Sequence, residues 1–369
     1  MESTNSVKRN KSDRVLYIRD LNISFETAYG TVRAIRGVRL DLFKGETIAI
    51  VGESGSGKSV TVKTIMGILD SNGVINSGQI IYRYTDENGE QQEVDLVKMS
   101  QKDIRYKYCG KHIAMVFQDP MTSLDPTMTV GRQIMEPMRE HYSISRAEAK
   151  KRAMELLEEV GIDNPDKRFK QFPHELSGGM RQRVVIAIAL ACDPDILICD
   201  EPTTALDVTI QAQILELINK LKAERNLSII FITHDLGVVA QMADEIAVMY
   251  AGQIVEQGLS EEVFYDPRHP YTWALLSSMP DLDTKEKLEA IPGTPPNMIY
   301  PPVGDAFADR NKYAMEIDFE QQPPMFDITE THRAATWLLH PDAPKVEMPK
   351  IITERIERMK AKLTEGQNG

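Results

Sequence analysis

"ETIAIVGESGSGKS", residues 46–59, is the stretch that decides the fold of this chain. A short apolar run leads into glycines and then into a helix start, which is typical of a buried parallel strand followed by a phosphate-binding loop. Residues Gly52–Ser59, called the P-loop below, match G-x-x-x-x-G-K-[ST] at every position. The alternative, a glycine-rich turn that only caps a helix, is disfavoured by the strand–loop–helix context. The stretch predicts an α/β fold with a nucleotide site.

The P-loop residues have distinct roles in this prediction. Glycines let backbone N–H groups and the following helix N-terminus surround phosphate oxygens. Lys58 can reach the β- and γ-phosphates of ATP, and Ser59 can hold Mg²⁺. The residues predicted to contact the nucleotide here are Gly52, Ser54, Gly55, Ser56, Gly57, Lys58, Ser59 and Val60.

A second apolar strand, "ILICDE" at residues 196–201, ends in two adjacent carboxylates. In a P-loop protein the first acid, Asp200, is expected to hold the Mg²⁺ shell. The second, Glu201, is expected to act as the base for the water that attacks the γ-phosphate. Their mutual repulsion would be offset by the divalent cation. Without the P-loop upstream, a strand that ends in a helix cap would be the commoner explanation.

The stretch "HELSGGMRQRVVIAIALA", residues 174–191, predicts a second anion site. Ser177 can cap a helix that begins near Met180, and Gly178 and Gly179 expose N–H groups at its positive end. One nucleotide needs only one P-loop. The extra site therefore indicates that phosphate is held between two surfaces.

Composition excludes several classes of function. The formal net charge of −12 among 369 residues argues against nucleic-acid binding, which needs a basic field. The longest apolar run, Val184–Cys192, is too short to span a bilayer. The polar start of the chain, before residue 14, lacks an apolar signal region and is expected to be a solvated tail. Three cysteines, Cys109, Cys192 and Cys199, fit buried thiols in a reducing compartment.

The motifs together resemble the ATP-binding subunit of an ABC transporter. The resemblance rests on the order and spacing of "GESGSGKS", "LSGGMRQR", "ILICDE", "ALD" at 205–207 and "THD" at 233–235. It implies that Gln118, in "VFQDP", senses Mg²⁺ and contacts the transmembrane subunits. It further implies that His234 touches the γ-phosphate and that Asp207 lies at a dimer seam. Tyr29, in "AYGTV", stands where the family has an aromatic residue that stacks on adenine.

The fold expected from this resemblance is an α/β P-loop NTPase core of the ABC ATPase type. It has an antiparallel β edge, predicted from the alternating stretches "VLYIRDLNISF" and "TVRAIRGVRLDL", a helical subdomain and a small C-terminal extension. The expected organisation is a disordered tail at 1–13, an ATPase domain at 14–265 with the helical subdomain at about 95–185, and the extension at 266–369.

The extension narrows the resemblance. "YDPRHPYTWALLSSMPDLD", "AIPGTPPN" and the earlier "FQDPMTSLDP" resemble the ATPases of oligopeptide and dipeptide importers. This implies uptake of oligopeptides, with a second related ATPase as heterodimer partner, two permeases and an extracellular peptide-binding protein. It also implies a peripheral position on the cytoplasmic face of the cell membrane, with membrane contact only through the permeases.

Three alternatives to a peptide importer ATPase are considered for this sequence. An importer for nickel or another small solute would carry the same cassette. A soluble ABC-type ATPase without a channel is disfavoured, because the chain has one cassette and no sustained heptads. A regulatory ligand barrel is disfavoured by the short, proline-rich segment at 291–305.

Many ATPases of this importer group hold an iron–sulfur cluster with four cysteines, in a stretch that residues 304–344 resemble. This chain has Asp305, Asn311, Asp318 and Thr336 at those positions. None is a thiolate, so we expect no iron–sulfur cluster. A hard cation between Asp305 and Asp318 is an alternative, although two separated carboxylates are more often solvated surface.

The rest of the framework of this stretch is kept. It predicts that the fold of the extension persists through apolar packing. The framework residues are Phe307, Arg310, Ala314, His332 and Trp337.

Overall fold

A computed structural model describes residues 10–86, 88–204, 206–278 and 291–366. Its strands form one four-stranded and one eight-stranded sheet. The strands in chain order are β1 (Arg14–Thr27), β2 (Gly30–Phe43), β3 (Thr47–Val51), β4 (Gly73–Thr85), β5 (Gln91–Asp95), β6 (Ile113–Val116), β7 (Ile196–Asp200), β8 (Ser228–Thr233), β9 (Glu245–Tyr250), β10 (Gln253–Leu259), β11 (Phe326–Asp327) and β12 (Arg333–Ala334).

Helices cover the sheets and build the connections between strands. They are α1 (Lys58–Ile65), α2 (Gln101–Lys107), α3 (Pro120–Ser123), α4 (Val130–His141), α5 (Arg146–Glu159), α6 (Pro165–Arg168), α7 (Gly178–Ala189), α8 (Val208–Arg225), α9 (Leu236–Met242), α10 (Ser260–Tyr265), α11 (Pro270–Ser277), α12 (Glu316–Glu320) and α13 (Lys350–Gly366).

The large sheet has the order β11-β12-β10-β9-β3-β8-β7-β6. The five strands from β9 to β6 pair in parallel. Every residue of β3, β7 and β8 is buried, which explains their unbroken apolar runs. The parallel strands place the turns after β3, β8 and β7 at one edge, where ligands of open α/β sheets bind. The prediction of an α/β core is confirmed.

The small sheet is antiparallel, in the order β2-β1-β4-β5. β1 and β2 form a long hairpin, in which Phe25 pairs with Val32 and Thr27 with Gly30. Alternate residues face the core, such as Leu16 and Ile18, which are fully buried. The predicted antiparallel edge is therefore confirmed.

The region predicted as a helical subdomain, about 95–185, contains α2 to α6 and most of α7. The apolar residues of α4, α5 and α7 pack with those of α8 in one cluster, whereas Ile104 of α2 belongs to a cluster with residues of β1 and β4. However, Ile113–Val116 within this region forms β6, which pairs with β7 of the large sheet. The interval thus mixes helical subdomain and core, because an apolar strand inside it joins the parallel sheet.

The extension continues the large sheet. Residues of β12 pair antiparallel with β10, Ala334 opposite Glu256 and Arg333 opposite Gln257. The carboxylate of Glu256 is fully buried and accepts hydrogen bonds from the backbone of Arg268 and His269. Its Oε1 also lies 2.8 Å from His332 Nε2. The boundary at 265/266 stays a prediction, and one sheet runs across it.

The start of the chain differs in part from the predicted tail. Residues 1–9 lie outside the described residues, whereas Lys11–Asp13 form a 3-10 turn capped by the side chain of Asn10. The side chain of Asn10 supplies an acceptor for Ser12 N–H, which stabilises this turn.

Two further expectations concern the burial of the cysteines and the absence of a membrane-spanning segment. Cys192 and Cys199 are buried and Cys109 is half-buried, and burial raises the pKa of the Cys109 thiol to about 12. Among the described helices, none combines the length and the apolar character that crossing a bilayer requires.

Candidate functional site

The P-loop follows β3 and passes very close to β9. Gly52 has φ +151°, and a Cβ there would stand 2.1 Å from the carbonyl oxygen of Met249. Gly57 has φ +108° and is the N-cap of α1. Only glycine tolerates these two positions. The glycines predicted to curl the loop therefore have a measurable steric reason to be there.

The polar groups of the P-loop point to an anion ligand. Lys58 is buried, and its Nζ donates to the carbonyls of Gly52 at 2.7 Å and Glu53 at 2.9 Å. Burial lowers the pKa of Lys58, and the charges of Glu201, Asp200 and Glu53 oppose that shift. Ser56 Oγ is buried and finds no hydrogen-bond partner among the described residues. A phosphate oxygen would satisfy this hydroxyl.

Asp200 and Ser59 meet where a cation would be needed. Ser59 Oγ donates to Asp200 Oδ1 at 3.1 Å. Burial raises the pKa of Asp200, the bond from Ser59 lowers it, and the charge of Glu201 raises it further. The carboxylates of Asp200 and Glu201 and the hydroxyl of Ser59 are hard oxygen ligands, which suit Mg²⁺. The residues present therefore fit the ion.

The carboxylate of Glu201 is the meeting point of the predicted catalytic residues. Its Oε2 lies 3.2 Å from Gln118 Nε2 and 3.3 Å from His234 Nδ1. Thr204 Oγ1 donates to the same oxygen at 3.1 Å. The backbone of Glu201 has φ +49°, which is strained for a residue with a side chain and is typical of functional sites. Thr204 was not predicted; the only sequence signal for it is its place three residues after Glu201.

The other residues predicted to contact the nucleotide are Ser54, Gly55 and Val60. Ser54 and Gly55 are exposed at the tip of the loop, and a Cβ at Gly55 would meet nothing within 4 Å. Val60 is half-buried on α1, and its carbonyl accepts from Thr64 Oγ1.

The other predicted binding residues make their contacts elsewhere. Ser177 caps α7 by accepting from Met180 N–H, and the helix begins at Gly178, two residues before the predicted start. Gly179 lies against Ile210, where a Cβ would stand 2.8 Å from Ile210 Cγ2. Asp207 is exposed and caps α8. Tyr29, at the tip of the β1–β2 hairpin, is 87% exposed. These residues lie on surfaces that another molecule can reach.

The four residues that the resemblance places at the cluster positions are all buried: Asp305, Asn311, Asp318 and Thr336. The expectation that the two carboxylates are solvated surface is wrong. Each of the four side chains accepts a nearby backbone N–H, so it closes a tight turn inside the extension. The donors are Phe307, Tyr313, Met315 and Leu338, in the same order. Hydrogen bonding to the backbone thus makes burial of these polar groups tolerable.

Two family models match this chain. The model described as "ABC transporter" matches residues 35–204. The model described as "Oligopeptide/dipeptide transporter, C-terminal region" matches residues 255–317.

Similar proteins align over nearly the whole chain. The oligopeptide transport ATP-binding protein OppD of Bacillus subtilis is 60% identical, covering 94% of this chain and 95% of the relative. The dipeptide transport ATP-binding protein DppD of Lactococcus lactis is 54% identical, covering 94% of this chain and 97% of the relative.

A solved structure also resembles this one. It is the ATP-binding cassette MJ0796 in a dimeric post-hydrolysis state bound to ADP and Pi, with a TM-score of 0.55 and 28% identity. The match covers 66% of this chain and 98% of the MJ0796 chain. This likeness confirms the predicted fold class of an ABC ATPase.

Asp305 provides a pH-dependent test of the extension. Burial raises the pKa of its carboxyl from 3.8 to about 6. The protonated Asp305 carboxyl therefore contributes its full share to the free energy of unfolding below pH 3.8, the pKa in the unfolded chain. This contribution is lost as the pH rises through about 6, the pKa in the folded protein. The loss amounts to about 3 kcal/mol. We expect Asp305→Asn to be more stable than wild type at pH 8 and similar to it at pH 4.

The measurement is urea unfolding of the full chain at both pH values. Asp309→Asn, an exposed position in the same segment, is the control. An equal effect of Asp305→Asn at pH 4 and pH 8 would contradict the assignment.

Proposed function

The chain belongs to the oligopeptide and dipeptide ATP-binding proteins of the ABC transporter family, and we propose that it hydrolyses ATP to power oligopeptide uptake through partner permeases. The observation that carries this proposal is the Glu201 carboxylate, which Gln118, Thr204 and His234 contact beside a P-loop. A base held in this way next to a phosphate site is suited to activating water. The names of the relatives favour peptide over nickel or another small solute as cargo.

Nucleotide binding would begin with an exchange of partners at Lys58. Its ammonium group donates to the carbonyls of Gly52 and Glu53, and it would turn to the β- and γ-phosphates when ATP enters. Ser56 Oγ and the N–H groups at the start of α1 would bind phosphate oxygens. Tyr29 would stack on adenine from its exposed position on the hairpin.

Ser59, Asp200 and Gln118 would hold Mg²⁺ next to the phosphates. The ion would supply positive charge that offsets the phosphate oxygens and the two carboxylates. Glu201 would take the proton of the attacking water. Gln118 and Thr204 would fix the direction of that carboxylate, and His234 would contact the γ-phosphate.

A second subunit would complete this site. His234 is half exposed, and Ser177, Gly178 and Asp207 are exposed on the chain's own surface. In the proposed heterodimer with a related ATPase, Ser177–Gly179 would contact the γ-phosphate on the facing subunit, and Asp207 would line the seam. The two phosphate-binding segments of one chain would thus serve two different nucleotides.

The transporter proposed around this ATPase pair has two permeases and an extracellular peptide-binding protein. The chain would lie on the cytoplasmic face of the cell membrane and would contact the membrane only through the permeases. Gln118, on the segment after β6, would signal to them. A formal net charge of −12 disfavours nucleic acid as a partner.

We also propose that the extension works without an iron–sulfur cluster. The four cluster positions carry oxygen side chains, and each of them is bonded to a backbone N–H. Iron in such clusters needs thiolate ligands. Protein purified without oxygen is expected to be colourless. Stoichiometric iron and sulfide in that preparation would contradict the proposal.

Glu201→Gln should keep ATP affinity and lose turnover, because the amide can bond the water but cannot accept its proton. Loss of a general base costs on the order of 10²-fold or more. Single-turnover hydrolysis in the assembled complex measures this step. Glu216→Gln, exposed on α8, is the control. A Glu201→Gln rate near that of wild type would assign the base to another group.

Affinity purification of the tagged chain from membranes should recover a second ATPase and two permeases. The same cells should take up a labelled tetrapeptide, and the uptake should cease with Glu201→Gln. A chain recovered alone, in cells whose peptide uptake does not change when its gene is deleted, would contradict the proposed function.

A further inference from the structure

The extension reaches the P-loop through one buried charge. Arg310 donates from Nη1 to Glu53 Oε2 at 2.6 Å and from Nη2 to Glu53 Oε1 at 3.0 Å, across 257 residues of sequence. The Arg310 side chain is 5% exposed. A bidentate pair of this kind fixes geometry as well as charge. Since Glu53 directly follows Gly52, this ion pair connects the extension directly to a residue of the P-loop.

The other contacts of Arg310 make it a bridge between three parts of the molecule. Its Nε donates to the carbonyl of Pro292 at 2.7 Å, within the extension. Its Nη1 also lies 3.1 Å from the hydroxyl of Tyr250, at the end of β9. The bond to Glu53 raises the pKa of Arg310 above its ordinary value. The guanidinium therefore joins the extension, the large sheet and the P-loop.

A second residue of the extension holds the backbone of Glu53. Glu53 N–H donates to Tyr271 Oη at 2.8 Å. Tyr271, on α11, is fully buried, and its ring lies 4.5 Å from that of Tyr250 and 5.2 Å from that of Phe307, between centroids. The carbonyl of Glu53 accepts from Lys58. The amide and the carboxylate of one P-loop residue are thus both bound by the extension.

The charge of Glu53 matters for an anionic ligand. Its carboxylate is among the groups whose charge opposes the lowering of the Lys58 pKa by burial, so it lies within electrostatic reach of the lysine. Lys58 is the residue that would grip the phosphates. An unpaired Glu53 would repel the same phosphates, and solvent screens such a repulsion little at a partly buried site. Arg310 cancels this charge.

We propose that Arg310 and Tyr271 are positioning residues of the nucleotide site, which hold the P-loop through Glu53 and neutralise its carboxylate. The inference rests on the proposed function, because it requires that the P-loop binds ATP. It gives the extension a part in setting ATP affinity.

The test is a titration of the full chain with ATP by calorimetry, at low and at high salt. Arg310→Met should weaken ATP binding by about tenfold or more, since it leaves a carboxylate uncompensated beside the phosphates. The loss should shrink at high salt. Adding Glu53→Gln to this variant should bring the affinity back to within about threefold of wild type, because the repelling charge is gone. Arg333→Met, which removes a bond between the extension and Gln257 of β10, should not change the affinity.

A loss in Arg310→Met that Glu53→Gln does not restore would overturn the inference, because Arg310 would then act only through the stability of the extension. Equal affinities for wild type and Arg310→Met would overturn it as well. Failure of the wild-type chain to bind ATP would instead contradict the proposed function, and the inference would fall with it.

Tyr271→Phe is the variant for the case that Arg310→Met does not fold. It keeps the buried ring and removes only the hydroxyl that accepts Glu53 N–H. We expect ATP affinity to fall several-fold while the melting temperature stays close to that of wild type. An unchanged ATP affinity in this variant would contradict the role given to Tyr271.

Discussion

The close passage of the P-loop over strand β9 is the constraint on which the rest of the site depends. A Cβ at Gly52 would stand 2.1 Å from Met249 O, and Gly252 N–H donates to Ser56 O at 2.8 Å. The P-loop therefore packs closely against the C-terminal end of β9 and the turn that follows it. From there, Lys58 turns back under the loop, and Ser59 reaches Asp200 at the end of β7.

The order of the strands in the large sheet brings the P-loop next to the other residues of the site. Because β8 lies between β3 and β7, the segments after all three strands meet at one edge. The backbone of Glu201 is held there by a bond from its N–H to Ile232 O, and its φ is +49°. This strained conformation directs the carboxylate to Gln118 and His234, which come from the segments after β6 and β8. The proposed catalytic arrangement thus depends on the strand order, since Gln118, Glu201 and His234 follow three different strands.

Local sequence patterns predicted the parts of the site that are continuous in the chain. The P-loop glycines, Asp200 and Glu201 could be predicted as site residues because their spacing reflects one strand and one turn. The contact between Glu53 and Arg310 has no such signal, since 257 residues separate them and the P-loop motif accepts any residue at position 53. The expectation of solvated carboxylates at Asp305 and Asp318 was wrong because a sequence does not show that each side chain closes a buried turn.

Several contacts tie the extension to the ATPase core, and two of them involve buried charged or aromatic side chains. β12 pairs with β10 around the buried Glu256 and His332, and Arg310 and Tyr271 hold Glu53. The predicted boundary between the two parts is therefore crossed by a continuous sheet and by the ion pair of Arg310 with Glu53. Movements of the extension and of the P-loop are expected to be coupled for this reason.

We propose that this chain carries one complete P-loop and base but needs a facing subunit to finish the γ-phosphate site. The most direct measurement is the specific ATPase rate of the purified chain over a dilution series, with and without its partner ATPase. The requirement for a facing subunit predicts slow hydrolysis at high dilution and a large increase when the partner is added. Fast hydrolysis that is independent of chain concentration and of the partner would contradict it.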